Sequence, residues 1–276
     1  GNPWTLTDVY GLQGMGTHLA GHFALANDIQ ASGTANWNWD GVRYQGFAPI
    51  GNNAAPFTGT FDGGGHAISD LTINRPNQNF VGLFGRAHNA TIADIALDGG
   101  TVRGNSHVGG LVAYQQGGTI TQASSGATIN GNGIVGGLVG AQNNGAITKS
   151  WSSGATSSTN SNDNVGGLVG YQIGGSISQS WATGAVTGSS NSGSGNAGGL
   201  VGFQNYGSTI AQSWASGAVT GSNSIGGLVG VTASSSITQA WASGAVNGSS
   251  NIGGLVGYQE LSSITQSWAS GAVNGS

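Results

Sequence analysis

The chain has 276 residues, with 55 glycines, 37% hydrophobic residues, no cysteine and only 5% charged residues, against roughly 25% charged in an ordinary soluble protein. A formal net charge of −4 with five Lys and Arg in all leaves no basic stripe for a phosphate backbone, so nucleic acid is not an expected partner. The absence of cysteine excludes disulfide and thiolate-metal frameworks, and no apolar run is long enough to predict insertion into a membrane as a helix.

Eleven of the fourteen charged residues precede residue 108; only Lys149, Asp163 and Glu260 follow it. Hydration of the later part must then come from Ser, Thr, Asn, Gln and backbone amides, which suits a stiff extracellular β structure. The N-terminus has no basic region leading into an apolar one, so any export signal is expected to have been removed or to lie outside this sequence.

Residues 1–80 do not repeat and are read as a cap with the first irregular coils. Thr7 and Asp8 offer a helix N-cap ahead of Val9, Leu12, Met15 and Leu19, whose spacing fits a short amphipathic helix weakened by Gly11, Gly14 and Gly16. A strand-like segment, GHFALANDI, follows. From Phe57 to Ile73, FTGTFDGGGHAISDLTI reads as the first full turns of a coil.

Residues 81–276 carry about seven repeats, expected to continue the cap as one domain. GLFG at Gly82–Gly85 and GLVA at Gly110–Ala113 are followed by GLVG closing at Gly140, Gly170, Gly202, Gly230 and Gly257. The central leucines, Leu83, Leu111, Leu138, Leu168, Leu200, Leu228 and Leu255, are spaced 28, 27, 30, 32, 28 and 27 apart. Each is followed after 9 residues, once 10, by an isoleucine: Ile92, Ile120, Ile147, Ile177, Ile210, Ile237 and Ile264. Length varies only between the Gly-Ala-Val segment and the next GLVG, as in TSSTNSNDN and TGSSNSGSGN against TGSNS and NGSSN, so one corner of the unit takes the insertions.

Each repeat reads as three short β-rich runs, GGLVGYQ, SITQSWAS and GAVNG, separated by turn residues. No run can bury a face alone, whereas stacking like coils pairs every strand with its copies about 4.8 Å above and below. Glycine, at about 1 kcal/mol per helix-interior residue, excludes a helical repeat. A propeller blade needs about 40–45 residues. The expected fold is all-β: a right-handed parallel β-helix, or β-solenoid, of about 28 residues per coil with three short strands and a short N-terminal helical cap. Alternation sets Ala269, Gly271 and Val273 on one face and Trp268 on the other; Leu255 and Val256 cannot both point inward in one regular strand.

The iterated GGLVG…SITQSWASGAV…G units resemble the GLUG-motif repeats of bacterial surface proteins. The order WTLTDVYGLQGM, HFALANDIQAS, GFAPIG, FTGTFDGGGHAISDLTI and VGLFG resembles the passenger region of filamentous-haemagglutinin-like adhesins exported by two-partner secretion. The resemblance implies a parallel β-helix at the bacterial cell surface or secreted, with adhesion to a host or bacterial surface glycan or protein. Such repeats also occur as stalks beside other activities, surface proteases among them.

Chemistry in such folds needs carboxylates, a base or a metal on adjacent coils. The candidates are Asp62, His66 and Asp70 around DGGGH, with Asp94, Asp98 and Arg103 on later turns. Each has a plainer reading as turn former or solvated residue, so no catalytic site is expected and a polysaccharide-active enzyme is the lesser alternative. His18 and His22 are four apart but lack convincing ligand spacing, and no phosphate loop or cofactor motif is present; neither metal nor cofactor is expected. An ice-binding face would need regular Thr-x-Thr rows, which the mixed Ser, Thr and Ala positions do not give. Five tryptophans recur four residues after the isoleucine: Trp151, Trp181, Trp214, Trp241 and Trp268. If exposed, their row could bind sugar rings through indole faces and N–H groups; if not, they pack on one another or beneath the variable corner. The final copy lacks a distinct capping segment, so end-to-end self-association of this chain is also expected. A purely structural stalk is the remaining alternative to an attachment surface.

Overall fold

The computed structural model describes residues 2–160, 163–189 and 195–275; the long forms of the variable corner fall partly outside them. The chain winds as a parallel β-solenoid. In the coil after residue 163 the strands are β1 (Asn164–Gly166), β2 (Val169–Ile173), β3 (Ser176–Ser178), β4 (Trp181–Ala182) and β5 (Val186–Thr187). Their counterparts in other coils stack in parallel as sheets of six, seven, ten, nine and eight strands respectively.

The three expected runs are therefore five strands, because two of them bend. GGLVGYQ breaks at the Gly-Leu pair between β1 and β2. SITQSWAS breaks at a residue in the left-handed region, a column formed by Gln122, Lys149, Gln179, Gln212, Gln239 and Gln266 with φ of 50–51°. The first bend explains how Leu168 and Val169 can both be fully buried: they belong to different strands, with the leucine at the corner. Behind the second bend a buried serine, Ser150, Ser180 or Ser213, closes the turn in three of the coils, and Ala123 and Ala240 stand at the same place in two others. Ser180 accepts the Ser150 N–H at 3.1 Å, and Ser213 accepts the Ser180 N–H at 3.2 Å.

Like residues lie over like. The β3 column runs Phe61, Ile92, Ile120, Ile147, Ile177, Ile210, Ile237, Ile264 in unbroken register. It extends through Phe23 into the N-terminal segment, so the cap joins the same ladder before the repeat is visible in sequence. The β5 column stacks Ile73, Val102, Ile129, Thr156, Val186, Val219, Val246 and Val273.

Glycine makes the tight corner possible through space rather than dihedral freedom. A Cβ on Gly166 would lie within 3.0 Å of the Val169 carbonyl carbon and oxygen and of the Leu200 carbonyl oxygen. A Cβ on Gly170 would meet Val135 and Gly140 backbone atoms at 2.7–2.8 Å. Neither glycine has positive φ. In GGLVG the glycines are thus the points where backbones of neighbouring strands and coils touch.

At the N-terminus a strand, Trp4–Leu6, begins the β3 sheet and leads into helix α1, Val9–Gly14. Asp8 is its N-cap and accepts the Gly11 N–H at 2.8 Å. Val9, Leu12 and Met15 are buried. Gln13 then clamps α1 to the following loop, donating to the Ala48 carbonyl at 3.0 Å and accepting the Ala48 N–H at 2.8 Å.

Candidate functional site

The β4 strand is only two residues long, so its alternation decides which one faces out. Ala182, Ala215 and Ala242 are fully buried, and a Cβ on Gly167, Gly199 or Gly227 would come within 2.8–3.1 Å of their methyl groups. The interior here is too narrow for anything larger than alanine or serine. An indole at the neighbouring position can only point outward, and all five do.

Trp151, Trp181, Trp214, Trp241 and Trp268 pair in register. Their rings stack with successive centroid separations of 5.0, 5.8, 4.7 and 5.4 Å and interplanar angles of 3–7°. The first four are partly buried and Trp268 is 54% exposed. Such stacking covers the faces of the internal indoles with one another, so a sugar ring could reach only their edges and N–H groups. Only the terminal members, Trp151 and Trp268, have a face with no indole stacked on it.

The other charged and imidazole candidates are not gathered into one place. Asp62 accepts the Gly64 N–H at 2.8 Å, as a turn former does. Asp70 and Asp94 occupy left-handed bends with φ of 58° and 52°. Asp98 ends a β4-sheet strand, and Arg103 lies in the β5 sheet. His66 Nδ1 lies 3.2 Å from Asp28 Oδ1, and the Ala67 N–H with His66 holds the Asp28 carboxyl below its ordinary range. His22 Nδ1 is 2.9 Å from Thr60 Oγ1, whereas the His18 ring packs on Trp4. Among the described residues no three His, Asp or Glu side chains form a metal-sized cluster.

Three features lay outside the sequence reading. Gln115, Gln142, Gln172 and Gln204 stack inside the coil at 0–2% exposure, and the Oε1 atoms of the first three have no partner. Asp163 is 1% exposed; its Oδ2 accepts the Ser189 N–H at 3.2 Å and its Oδ1 has no partner. Burial pushes the Asp163 carboxyl above its ordinary value, against the hydrogen bonds from Ser189 and Ser158. Phe80, His107 and Tyr114 form a ring cluster with centroids 4.8–5.9 Å apart, with Arg86 lying 4.9 Å from the Tyr114 ring centroid. The fixed spacing could have flagged the glutamine column, because Gln142, Gln172 and Gln204 each stand two residues after GLVG, and Gln115 two after GLVA.

Known proteins share parts of this pattern. The family described as the GLUG motif matches residues 161–187. Over 126 residues, 44% of this chain, the sequence is 37% identical to Halomucin of Haloquadratum walsbyi, of which that is 1%. Over 128 residues it is 35% identical to the "Putative Gly-rich membrane protein" of Evansella cellulosilytica, covering 45% of this chain and 14% of that protein. The chain thus spans a small fraction of the curated relatives it matches. Among solved structures, one described as "a putative immunoglobulin A1 protease from Bacteroides ovatus" superposes with a TM-score of 0.71 at 20% identity, covering 96% of this chain and 84% of that one. Another, described as "IgA1 Protease", gives a TM-score of 0.74 at 20% identity over 92% of this chain and 20% of that one. At such identity the likeness establishes the fold. The chain is a parallel β-solenoid that matches the GLUG motif over residues 161–187, similar in sequence to Halomucin and in fold to both solved structures.

Proposed function

We propose that this chain is a rigid segment of a secreted or surface-displayed bacterial protein whose outward tryptophan column serves attachment, to a host or bacterial glycan or protein. One observation carries the reading: five indoles in strict register on one outer sheet, with small buried residues, Ser152, Ala182, Ala215 and Ala242, beside the first four, in a molecule whose ionisable groups are dispersed. Mechanism here means stiffness and repeated weak contact along one line. The similarity to Halomucin and to a protein named for a membrane supports the surface location, and the order of N-terminal segments supports export by two-partner secretion. No catalytic step is assigned to the chain.

A glycan array and whole-cell binding with the purified chain test this reading. Replacing Trp181, Trp214 and Trp241 together by Ala is expected to abolish binding while far-UV circular dichroism stays unchanged. Binding unaffected by the triple substitution would sink it. A second reading, a stalk that only spaces other domains, is favoured by the IgA1 protease likeness covering just 20% of that longer chain; it expects no affinity for any surface.

A further inference from the structure

The tryptophan column stops at Trp151, and what replaces it is a slot. Trp151 pairs with Trp181 on one side and with Ser124 on the other; beyond Ser124 the register continues through Ala96 and Ala67. Where two more indoles would stand there are a hydroxymethyl and a methyl group. No indole of the column therefore stands beside Trp151 on its Ser124 side over two strand spacings, about 9.6 Å. A cavity of about 260 Å³ occupies this position, lined by Trp151, Ser124, Ala96, Asp94 and Gln122 among others. It is smaller than the roughly 300–1,000 Å³ typical of drug-sized sites, on the scale of a single ring.

The polar groups sit along one rim. Asp94 and Gln122 occupy equivalent left-handed bends on successive coils, with φ of 52° and 50°, and Gln122 Nε2 donates to Asp94 Oδ1 at 2.6 Å. Asp94 Oδ2 takes no hydrogen bond from the described residues. An aromatic floor with one carboxylate and one amide at its edge complements a flat ring that has an apolar C–H face and hydroxyls in its plane. The indole face takes the C–H face, and the carboxylate accepts a hydroxyl in a charge-assisted hydrogen bond. An acidic sugar would meet the Asp94 charge with no cation lining the slot.

We infer that the slot above Trp151 is a binding subsite for one neutral pyranose ring. The inference rests on the attachment reading but differs in place and stoichiometry: one site per chain, at the end of the column, reading the sugar through an indole face. Cations also favour indole faces, so choline is the informative competitor class.

The test follows the Trp151 indole N–H in 15N–1H NMR spectra of the full chain, assigned by its loss in Trp151→Phe, during titration with methyl β-glucopyranoside and methyl β-galactopyranoside. Saturable shifts are expected with at least one of them. Asp94→Asn keeps a residue type tolerant of the left-handed bend and is expected to weaken that sugar at least 10-fold. Ser124→Trp extends the stack with the side chain that five later coils already carry at this position, and is expected to remove the response while the fold persists. Absence of saturation with both glycosides, saturation unchanged by Ser124→Trp, or saturation by choline alone would overturn the inference. Ser124→Trp leaves the outer column intact, so surface attachment that survives in this variant keeps the attachment reading while the subsite is tested separately.

Discussion

Replacing Gly166 by Ala adds one methyl group, and the structure leaves no place for it. The new Cβ would fall within 3.0 Å of three backbone atoms, the carbonyl carbon and oxygen of Val169 and the carbonyl oxygen of Leu200. None of these belongs to a flexible side chain, so relief requires β1 to part from β2 or from the coil that follows. Overpacking of a rigid interior costs typically 1–3 kcal/mol. With only ladder-bonded backbone to yield, the upper end applies, about 3 kcal/mol. At about 2–4 °C per kcal/mol for a chain in this size range, the thermal midpoint should fall by about 6–12 °C. Gly33→Ala is the matched control: it has no atom within 4 Å of its added Cβ and no positive φ, so it should be neutral or stabilise by up to about 1 kcal/mol through the unfolded chain. Scanning calorimetry of both variants reads the difference. A Gly166→Ala midpoint within 2 °C of the parent would refute the argument that glycine is there for lack of room.

Asp163→Asn should raise the midpoint at neutral pH. The raised native pKa means that the folded state holds the proton more tightly than the unfolded state, so its contribution is fully present below the ordinary carboxylate value. It is lost as pH rises through the raised native value; the benefit of Asn should therefore vanish at low pH, and a benefit that instead grows there would contradict the burial account. Leu168→Ala, emptying a fully buried corner, should cost about 2–5 kcal/mol in denaturant titration. Gln172→Met should cost far less, under about 1 kcal/mol, because the glutamine leaves Oε1 unpartnered and donates only at a long 3.4 Å. In the last coil, Val273 is 47% exposed and Leu255 and Val256 are only partly buried; sedimentation velocity should show this 276-residue chain associating with rising concentration, and a single monomeric species throughout would count against it.

Much of the fold was legible because stacking demands repetition. The leucine and isoleucine columns lie in sequence at nearly fixed spacing, and the ladder reproduces them residue for residue. The five-strand coil was not legible, because its bends are made without proline and, at the glutamine column, without glycine; ordinary side chains sit at positive φ where only the neighbouring coils hold them. The cap's membership of the β3 sheet was hidden by substitution, since Phe23 and Phe61 stand where later coils have isoleucine. For the tryptophans, sequence fixed the column but left its direction open. That direction follows from the opposing glycine backbone, which is distant in sequence from each indole. The end of the column could have been read directly: counting four from Ile92 and Ile120 gives Ala96 and Ser124 in place of tryptophan.

The central claim is that attachment draws on the indole column as a line of repeated contacts. The direct measurement is binding to a responsive surface by chains carrying one, two and three Trp→Ala substitutions, taken in the order Trp241, Trp214, Trp181. Multivalent contact predicts a stepwise loss in apparent affinity with each residue removed, with the fold unchanged by circular dichroism. Affinity that stays constant across the series would contradict the account.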